Sequence, residues 1–249
     1  MLLLVDIGNT RFKWRLQASV VATEVVARGS LMTAHLTSAQ LREQLPVGVA
    51  VCGYTSVASE EVNDLLVAWA HDSDVDVAQA LTQNRWQDLV NSYSDCTRMG
   101  VDRWLAMVAV RNLTKQAACV IDCGSASTVD FIAPNGEHEG GYIIPGQRLM
   151  VQSLLQDTAH IAFTEHECEA TTGYGTSTAG AVLKGASRMH EAGIGAIAND
   201  ALQHGYVVYA TGGDGCFLAQ VQGIHWLDEL VLDGLKACLY DVPGLLPSQ

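Results

Sequence analysis

The stretch Ala117-Ala-Cys-Val-Ile-Asp122-Cys-Gly124-Ser125-Ala-Ser-Thr128-Val-Asp-Phe-Ile-Ala133 sets an apolar run directly against an aspartate. A glycine follows two residues later, then small hydroxyl residues, then a second run with apolar residues. The pattern predicts a buried strand, a turn and a returning strand. The N-terminus repeats it. Met1-Leu-Leu-Leu-Val-Asp6-Ile-Gly8-Asn9-Thr10-Arg-Phe-Lys-Trp14 has the same order of apolar run, acid, glycine and small polar residues, 116 positions earlier. One such hairpin could simply carry a solvated aspartate. Two, spaced by nearly half the chain, predict a duplicated α/β domain with two similar polar turns. Glycine lets the backbone approach a bound group closely. Two facing turns of this kind can hold a polyphosphate by their N–H groups.

The run Leu2–Val5 is too short to span a bilayer and has no basic flank or cleavage site, so it does not read as a signal peptide. The chain has 249 residues, 49% hydrophobic and 16% charged, enough for one large domain or two smaller ones with real cores. Its net charge of -13 argues against nucleic acid or an anionic membrane surface as partner. Attraction for a phosphate compound must then come from local groups and a metal. Seven scattered cysteines without a C-x-x-C pair point to reduced thiols in a cytosolic protein. His160, His166 and Cys168 are close in sequence, but their spacing fits no zinc pattern well.

Strands are expected near 48–52 and 75–78. Helices are expected over 59–70, with Ser59 as cap, and over 147–157, 177–191 and 228–240. Alternating elements of this kind argue for α/β layers. The boundary between halves is expected near 112–117. Gly205–Ala210 reads as a strand ending in Thr211-Gly212-Gly213-Asp214-Gly215, where adjacent glycines allow flat approach of a ligand or form a plain turn. No G-x-x-x-x-G-K-[ST] is present. The string Gly193-Ile-Gly195-Ala-Ile-Ala198 follows a helical stretch instead of a strand and reads as a break between two helices.

The chemistry turns on Asn91-Ser92-Tyr93 and Arg98-Met-Gly100-Val101-Asp102-Arg103-Trp104. Asp102 and Arg103 stand where the apolar helix over 105–113 begins. Asp102 could cap that helix while Arg103 pairs on the surface. The same two groups also fit phosphoryl transfer to an anionic alcohol. There the carboxylate accepts the hydroxyl proton and the guanidinium grips the anion.

Six pieces taken together resemble the type III pantothenate kinases of the acetate-and-sugar-kinase, heat-shock-chaperone and actin superfamily. They are Asp6–Thr10, Asn91–Tyr93, Gly100–Arg103, Asp122–Thr128, Gly140-Gly-Tyr-Ile-Ile-Pro-Gly146 and Thr211–Gly213, in the family's order and spacing. The resemblance implies two duplicated ribonuclease-H-like domains, residues 1–115 and 116–249, with ATP in the cleft between them. It implies phosphorylation of the primary hydroxyl of pantothenate, the first step toward coenzyme A, in a cytoplasmic homodimer whose interface completes the acid-binding pocket. On the same resemblance Asp6, Ile7, Gly8, Asn9, Thr10, Arg11, Phe12 and Lys13 form the first phosphate loop, and Asp6 orients Mg²⁺ through water. Ser125 contacts ATP, and Asp122 holds a monovalent cation, K⁺ or NH₄⁺. Tyr93, Gly100, Val101, Asp102, Arg103 and Thr178 contact pantothenate, with Asp102 the general base.

Three residues depart from the family's pattern. Ser125 stands where Thr is usual and keeps the hydroxyl. Ser92 stands where Pro or Gly is frequent and Cys96 where Pro is frequent, which would loosen the loop carrying Tyr93. Thr176 and Ser177 adjoin Thr178, so a one-residue slip would move its role. Two rival readings are a kinase for another small alcohol, such as a sugar, and a catalytically silent ATP-binding regulator. Val101-Asp102-Arg103 argues against the first, and the intact Asp6, Asp102 and Asp122 against the second.

Overall fold

The computed structural model describes residues 1–19, 21–22, 24–164 and 173–239. Two five-stranded sheets dominate the described residues. The first is built from β1 (Leu2–Ile7), β2 (Arg11–Gln17), β3 (Val25–Met32), β4 (Val51–Ser56) and β5 (Asp76–Gln79), in the order β3-β2-β1-β4-β5. A two-stranded ribbon follows, β6 (Arg85–Trp86) with β7 (Leu89–Val90). The second sheet contains β8 (Ala118–Cys123), β9 (Ala126–Ile132), β10 (His138–Pro145), β11 (Val207–Thr211) and β12 (Ile224–Trp226), in the order β10-β9-β8-β11-β12.

The two orders are the same. In each sheet the first strand pairs antiparallel with the second and parallel with the fourth, which pairs parallel with the fifth. This is the duplicated ribonuclease-H-like arrangement. The central strands β1 and β8 read as unbroken apolar runs because both faces are covered, so alternation has no role there.

Six α-helices flank these sheets among the described residues: α1 (Ser38–Gln44), α2 (Glu60–Asp72), α3 (Val101–Leu113), α4 (Gln147–Asp157), α5 (Thr178–Gln203) and α6 (Leu230–Leu239). By internal contacts the chain divides into two units. The first is Met1–Lys115, Ala133–Glu139 and Glu229–Gln249; the second is Gln116–Ile132 and Gly140–Asp228. The first break falls between Lys115 and Gln116. The turn at Ala133–Glu139 and helix α6, which a single cut there would give to the second half, belong to the first unit.

The core of the first unit joins Leu3, Val5 and Ile7 of β1 and Phe12 of β2 to Leu41 of α1 and to Leu66 and Trp69 of α2. On α6, Gly234 lies against the Leu105 carbonyl of α3, where any side chain would collide with backbone. The core of the second unit joins Cys119, Ile121 and Cys123 of β8 to Val208 and Ala210 of β11 and to Ile194, Ala198 and Ala201 of α5.

That last set corrects one expectation. Gly193 and Gly195 do not separate two helices; they lie inside α5, a single helix of 26 residues. Two interior glycines cost about 1 kcal/mol each relative to alanine. Burying Ile194, which sits between them, returns about 1.5–3 kcal/mol, and Ala198 and Ala201 extend the same face. Packing therefore outweighs propensity. The strand expected at 48–52 is β4, shifted to Val51–Ser56. Ser59 occupies the N-cap position of α2 without a side-chain cap bond; its hydroxyl instead bonds Glu61 and lowers that carboxyl's pKa.

Candidate active site

Two hairpin turns occupy equivalent places in the two sheets. In the first, Asp6 at the end of β1 stands opposite Lys13 on β2 and beside Thr55 on β4. The Gly8 N–H donates to the Arg11 carbonyl at 2.9 Å and closes the turn. Thr33 pins it from outside: its hydroxyl donates to the Gly8 carbonyl at 2.8 Å and its N–H to the Thr10 carbonyl at 3.1 Å. Asn9, Arg11 and Lys13 are exposed, and Asp6, Gly8 and Thr10 half-buried. Ile7 and Phe12 are fully buried core residues, so only their main-chain atoms can meet a nucleotide. Nothing in the local sequence marked Thr33, which is 25 residues from Gly8.

In the second turn, Asp122 at the end of β8 stands opposite Thr128 on β9 and beside Thr211 on β11. The Gly124 N–H donates to the Ala126 carbonyl at 3.2 Å. Two further glycines close on this turn. Gly146, after β10, donates its N–H to the Ser125 carbonyl at 3.2 Å; a Cβ there would fall 2.5–2.6 Å from the Gly124 and Ser125 carbonyls. Gly212, with φ +93, lies against Asp122, and a Cβ there would fall 2.5 Å from its Oδ1. The Thr211-Gly-Gly element is thus no plain surface turn; it is packed on the second acid. Behind the turn, Ser127 and His190 are 0% and 1% exposed and 2.6 Å apart (Oγ to Nε2). Burial lowers the His190 pKa, against a smaller opposing pull from Asp214 and Glu191.

The third cluster belongs to the first unit. Helix α3 begins at Val101 with Gly100 as N-cap and no side-chain cap bond. Asp102 is therefore not the cap. It lies in the first turn, where its Oδ1 accepts the Arg103 N–H at 2.8 Å and its charge faces the positive end of the helix. Nor is Arg103 a surface partner, being 5% exposed. Its Nη1 donates to the Tyr93 hydroxyl at 3.0 Å, and its Cζ lies 5.7 Å from the Tyr93 ring centroid. The Tyr93 N–H donates to the Asn91 carboxamide oxygen at 2.9 Å. The Asp95 carboxylate accepts from the Thr97 N–H and hydroxyl. Tyr93 and Gly100–Arg103 thus form one cluster. Val101 is buried and offers its main chain.

Thr178 is an exposed first residue of α5, in the second unit. Its neighbour Ser177 is the N-cap, accepting from the Gly180 N–H at 3.1 Å. Of the His160, His166 and Cys168 set, the last two lie outside the described residues. No group of three or more His, Cys, Asp or Glu that could hold a metal occurs among the described residues. Nor is any described helix long and apolar enough to cross a membrane.

The model of the type III pantothenate kinase family matches residues 2–200. The chain belongs to that family. A type III pantothenate kinase of Marinobacter nauticus is 37% identical over 252 residues, covering 95% of this chain and 97% of that one. The enzyme of that name from Hahella chejuensis is 34% identical over 245 residues, covering 96% and 97%. Among solved structures, one from Sinorhizobium meliloti described as a 2-dehydro-3-deoxygalactonokinase protein superposes with a TM-score of 0.58 at 14% identity, covering 100% of this chain and 99% of that one. One from Campylobacter jejuni, described as a Baf family transcriptional activator, gives 0.58 at 22%, covering 96% and 98%. At such identities the structures speak for the fold alone, which hosts more than one function.

Proposed function

We propose that this chain transfers the γ-phosphoryl group of ATP to the primary hydroxyl of pantothenate, giving 4'-phosphopantothenate and ADP, the first step toward coenzyme A. The observation that carries this reading is the start of α3, where a carboxylate in the first helical turn adjoins a buried arginine held by Tyr93. The substrate oxygen attacks the γ-phosphorus as the bond to the β-phosphate oxygen breaks. Asp102 takes the hydroxyl proton and later releases it to solvent. Arg103 reads the carboxylate at the far end of pantothenate, a task suited to its planar fork. Tyr93, Gly100 and Val101 complete that subsite. Phosphoryl transfer has a loose transition state, so positioning and charge neutralisation supply most of the rate.

ATP phosphates meet main-chain N–H groups of the turn between Gly8 and Phe12 and the side chains of Asn9, Thr10, Arg11 and Lys13. The net charge of -13 makes these local cations necessary. The donor set fits Mg²⁺, which keeps several waters and takes one or two carboxylates plus substrate phosphates. Asp6 is such a carboxylate. When bound, the ion neutralises charge on the phosphates. Asp122, flanked by Thr128 and Thr211, offers oxygen ligands that suit K⁺ or NH₄⁺. We extend the reading to a cytoplasmic homodimer, as the family resemblance implies.

The test is ADP release measured with ATP alone, with pantothenate and with sugars. Release only with pantothenate, with a product of the mass of phosphopantothenate, is expected. Equal release with a sugar, or none with any acceptor, would overturn the reading.

A further inference from the structure

The family's usual Pro or Gly before the tyrosine is Ser92 here, so the loop lacks the backbone restraint that a proline imposes. The structure shows a different restraint. Ser92 Oγ lies 2.9 Å from Nδ1 of His138, and the His138 ring stacks on Tyr93 with centroids 6.4 Å apart and planes 27° apart. His138 is 3% exposed. A buried imidazole requires partners, and the exposed Ser92 hydroxyl reaches in to serve as one.

The turn that delivers His138 is itself clamped. The Val90 N–H donates to the Gly136 carbonyl at 2.9 Å, and Val90 bridges to Glu137. Gly136, with φ +91, lies against the Asp88 carbonyl, where a side chain would collide. Arg111 Nη2 donates to Asp88 at 2.7 Å and to the Pro134 carbonyl at 2.9 Å. Asp88, Val90, Arg111 and the turn from Pro134 to His138 thus form one braced assembly within the first unit, and the Tyr93 ring, with its hydroxyl on Arg103, rests on its end.

We propose that His138, through Ser92, is a positioning residue for pantothenate. It holds the Tyr93 ring in place and thereby aims the Arg103 guanidinium at the substrate carboxylate. The proposal rests on the reading of Tyr93 and Arg103 as pantothenate contacts. Losing the bond leaves the chemistry of Asp102 intact but lets the grip drift, so the effect falls on pantothenate binding.

Steady-state kinetics with pantothenate varied at saturating ATP test it, using Ser92→Ala, His138→Phe, His138→Asn and the double variant Ser92→Ala/His138→Phe. Phe keeps a stacking ring without the hydrogen bond, whereas Asn keeps a polar atom near the place of Nδ1. Ser92→Ala changes an exposed side chain and leaves the core alone. Ser92→Ala and His138→Phe are each expected to raise the pantothenate KM by about 3- to 10-fold, the range of a single hydrogen bond. In both, kcat and the ATP KM should stay within about two-fold, the noise of independent sites. His138→Asn should recover most of the loss, and the double variant should be no worse than the poorer single one. Additive losses, or an unchanged pantothenate KM in Ser92→Ala, would overturn the proposal. So would joint loss of kcat and both KM values. Tyr93→Phe separates this from failure of the underlying reading. A raised pantothenate KM in Tyr93→Phe with none in Ser92→Ala and His138→Phe removes only the role of His138. An unchanged KM in Tyr93→Phe removes both.

Discussion

The two units share a strand order and a turn, yet they differ in charge. At the turn of the first, an acid faces a lysine across the hairpin, with Arg11 exposed at the start of the returning strand; farther along, Asp102 and Arg103 open α3. At the turn of the second, the corresponding acid faces a threonine and adjoins another, with glycines packed close and a neutral Ser127–His190 pair behind. The first turn is also one residue longer, four residues between Ile7 and Phe12 against three between Cys123 and Ser127. A duplicated scaffold has been divided by side-chain chemistry. On the proposed function, one copy carries the groups that move protons and neutralise anions. The other offers hydroxyls, main chain and the Asp122 carboxylate, which on the same proposal hold a weakly bound ion.

If that division is right, the first unit should be far more sensitive to loss of a single charge. Asp102→Asn should lower kcat by about 10²–10⁴-fold, the usual contribution of a general base, while the ATP KM stays within a few-fold. Near-normal turnover would return Asp102 to a purely helical role and erase the contrast.

Arg103→Ala should come next. A charge-assisted hydrogen bond of about 1.5–3 kcal/mol corresponds to roughly 10- to 150-fold in kcat/KM for pantothenate. With an analogue whose carboxylate is an amide the loss should be much smaller, because the partner charge is missing already. Equal losses on both substrates would remove the carboxylate-reading role, and a large rise in the ATP KM would move Arg103 to the phosphates.

A smaller effect is expected at Asp122. Activity in sodium buffer should rise several-fold on adding potassium or ammonium, and Asp122→Ala should abolish that response. Equal rates of the unmodified enzyme in sodium and potassium would deny the second unit its ion. A loss in Asp122→Ala as deep as that in Asp102→Asn would show both units to be equally catalytic.

The smallest effect concerns stability. Burial lowers the His190 pKa below its ordinary 6.5. Below pH 6.5 the unfolded chain therefore binds a proton that the folded chain resists, and stability falls as pH drops through that region. Asp88, held well below the usual carboxylate range by Arg111 and Lys115, begins to cost stability only below its ordinary 3.8. The melting temperature should thus decline from pH 7 to pH 5.5, and His190→Gln should flatten the decline. An unchanged slope in the variant would show that His190 is not the group responsible.

Local features were legible from residues alone. The Asp-x-Gly hairpins, the helices at 147–157 and 228–240 and the apolar α3 depend on periodicity and turn chemistry over a few neighbouring positions. The six motifs, read together, indicated the family and supplied the candidate residues. Long-range closure was not legible. Whether Gly193 and Gly195 break a helix depends on Ile194 finding a core against β8 and β11. Whether Arg103 is a surface ion or a buried grip depends on Tyr93, ten residues away. That Ser92 restrains its loop depends on His138, 46 residues later, on a turn that packs with the first unit. Sequence patterns report the period of an element and the conformations its residues tolerate. Burial and polar partnership depend on which distant segments the folded chain brings together, and only the tertiary structure decides that.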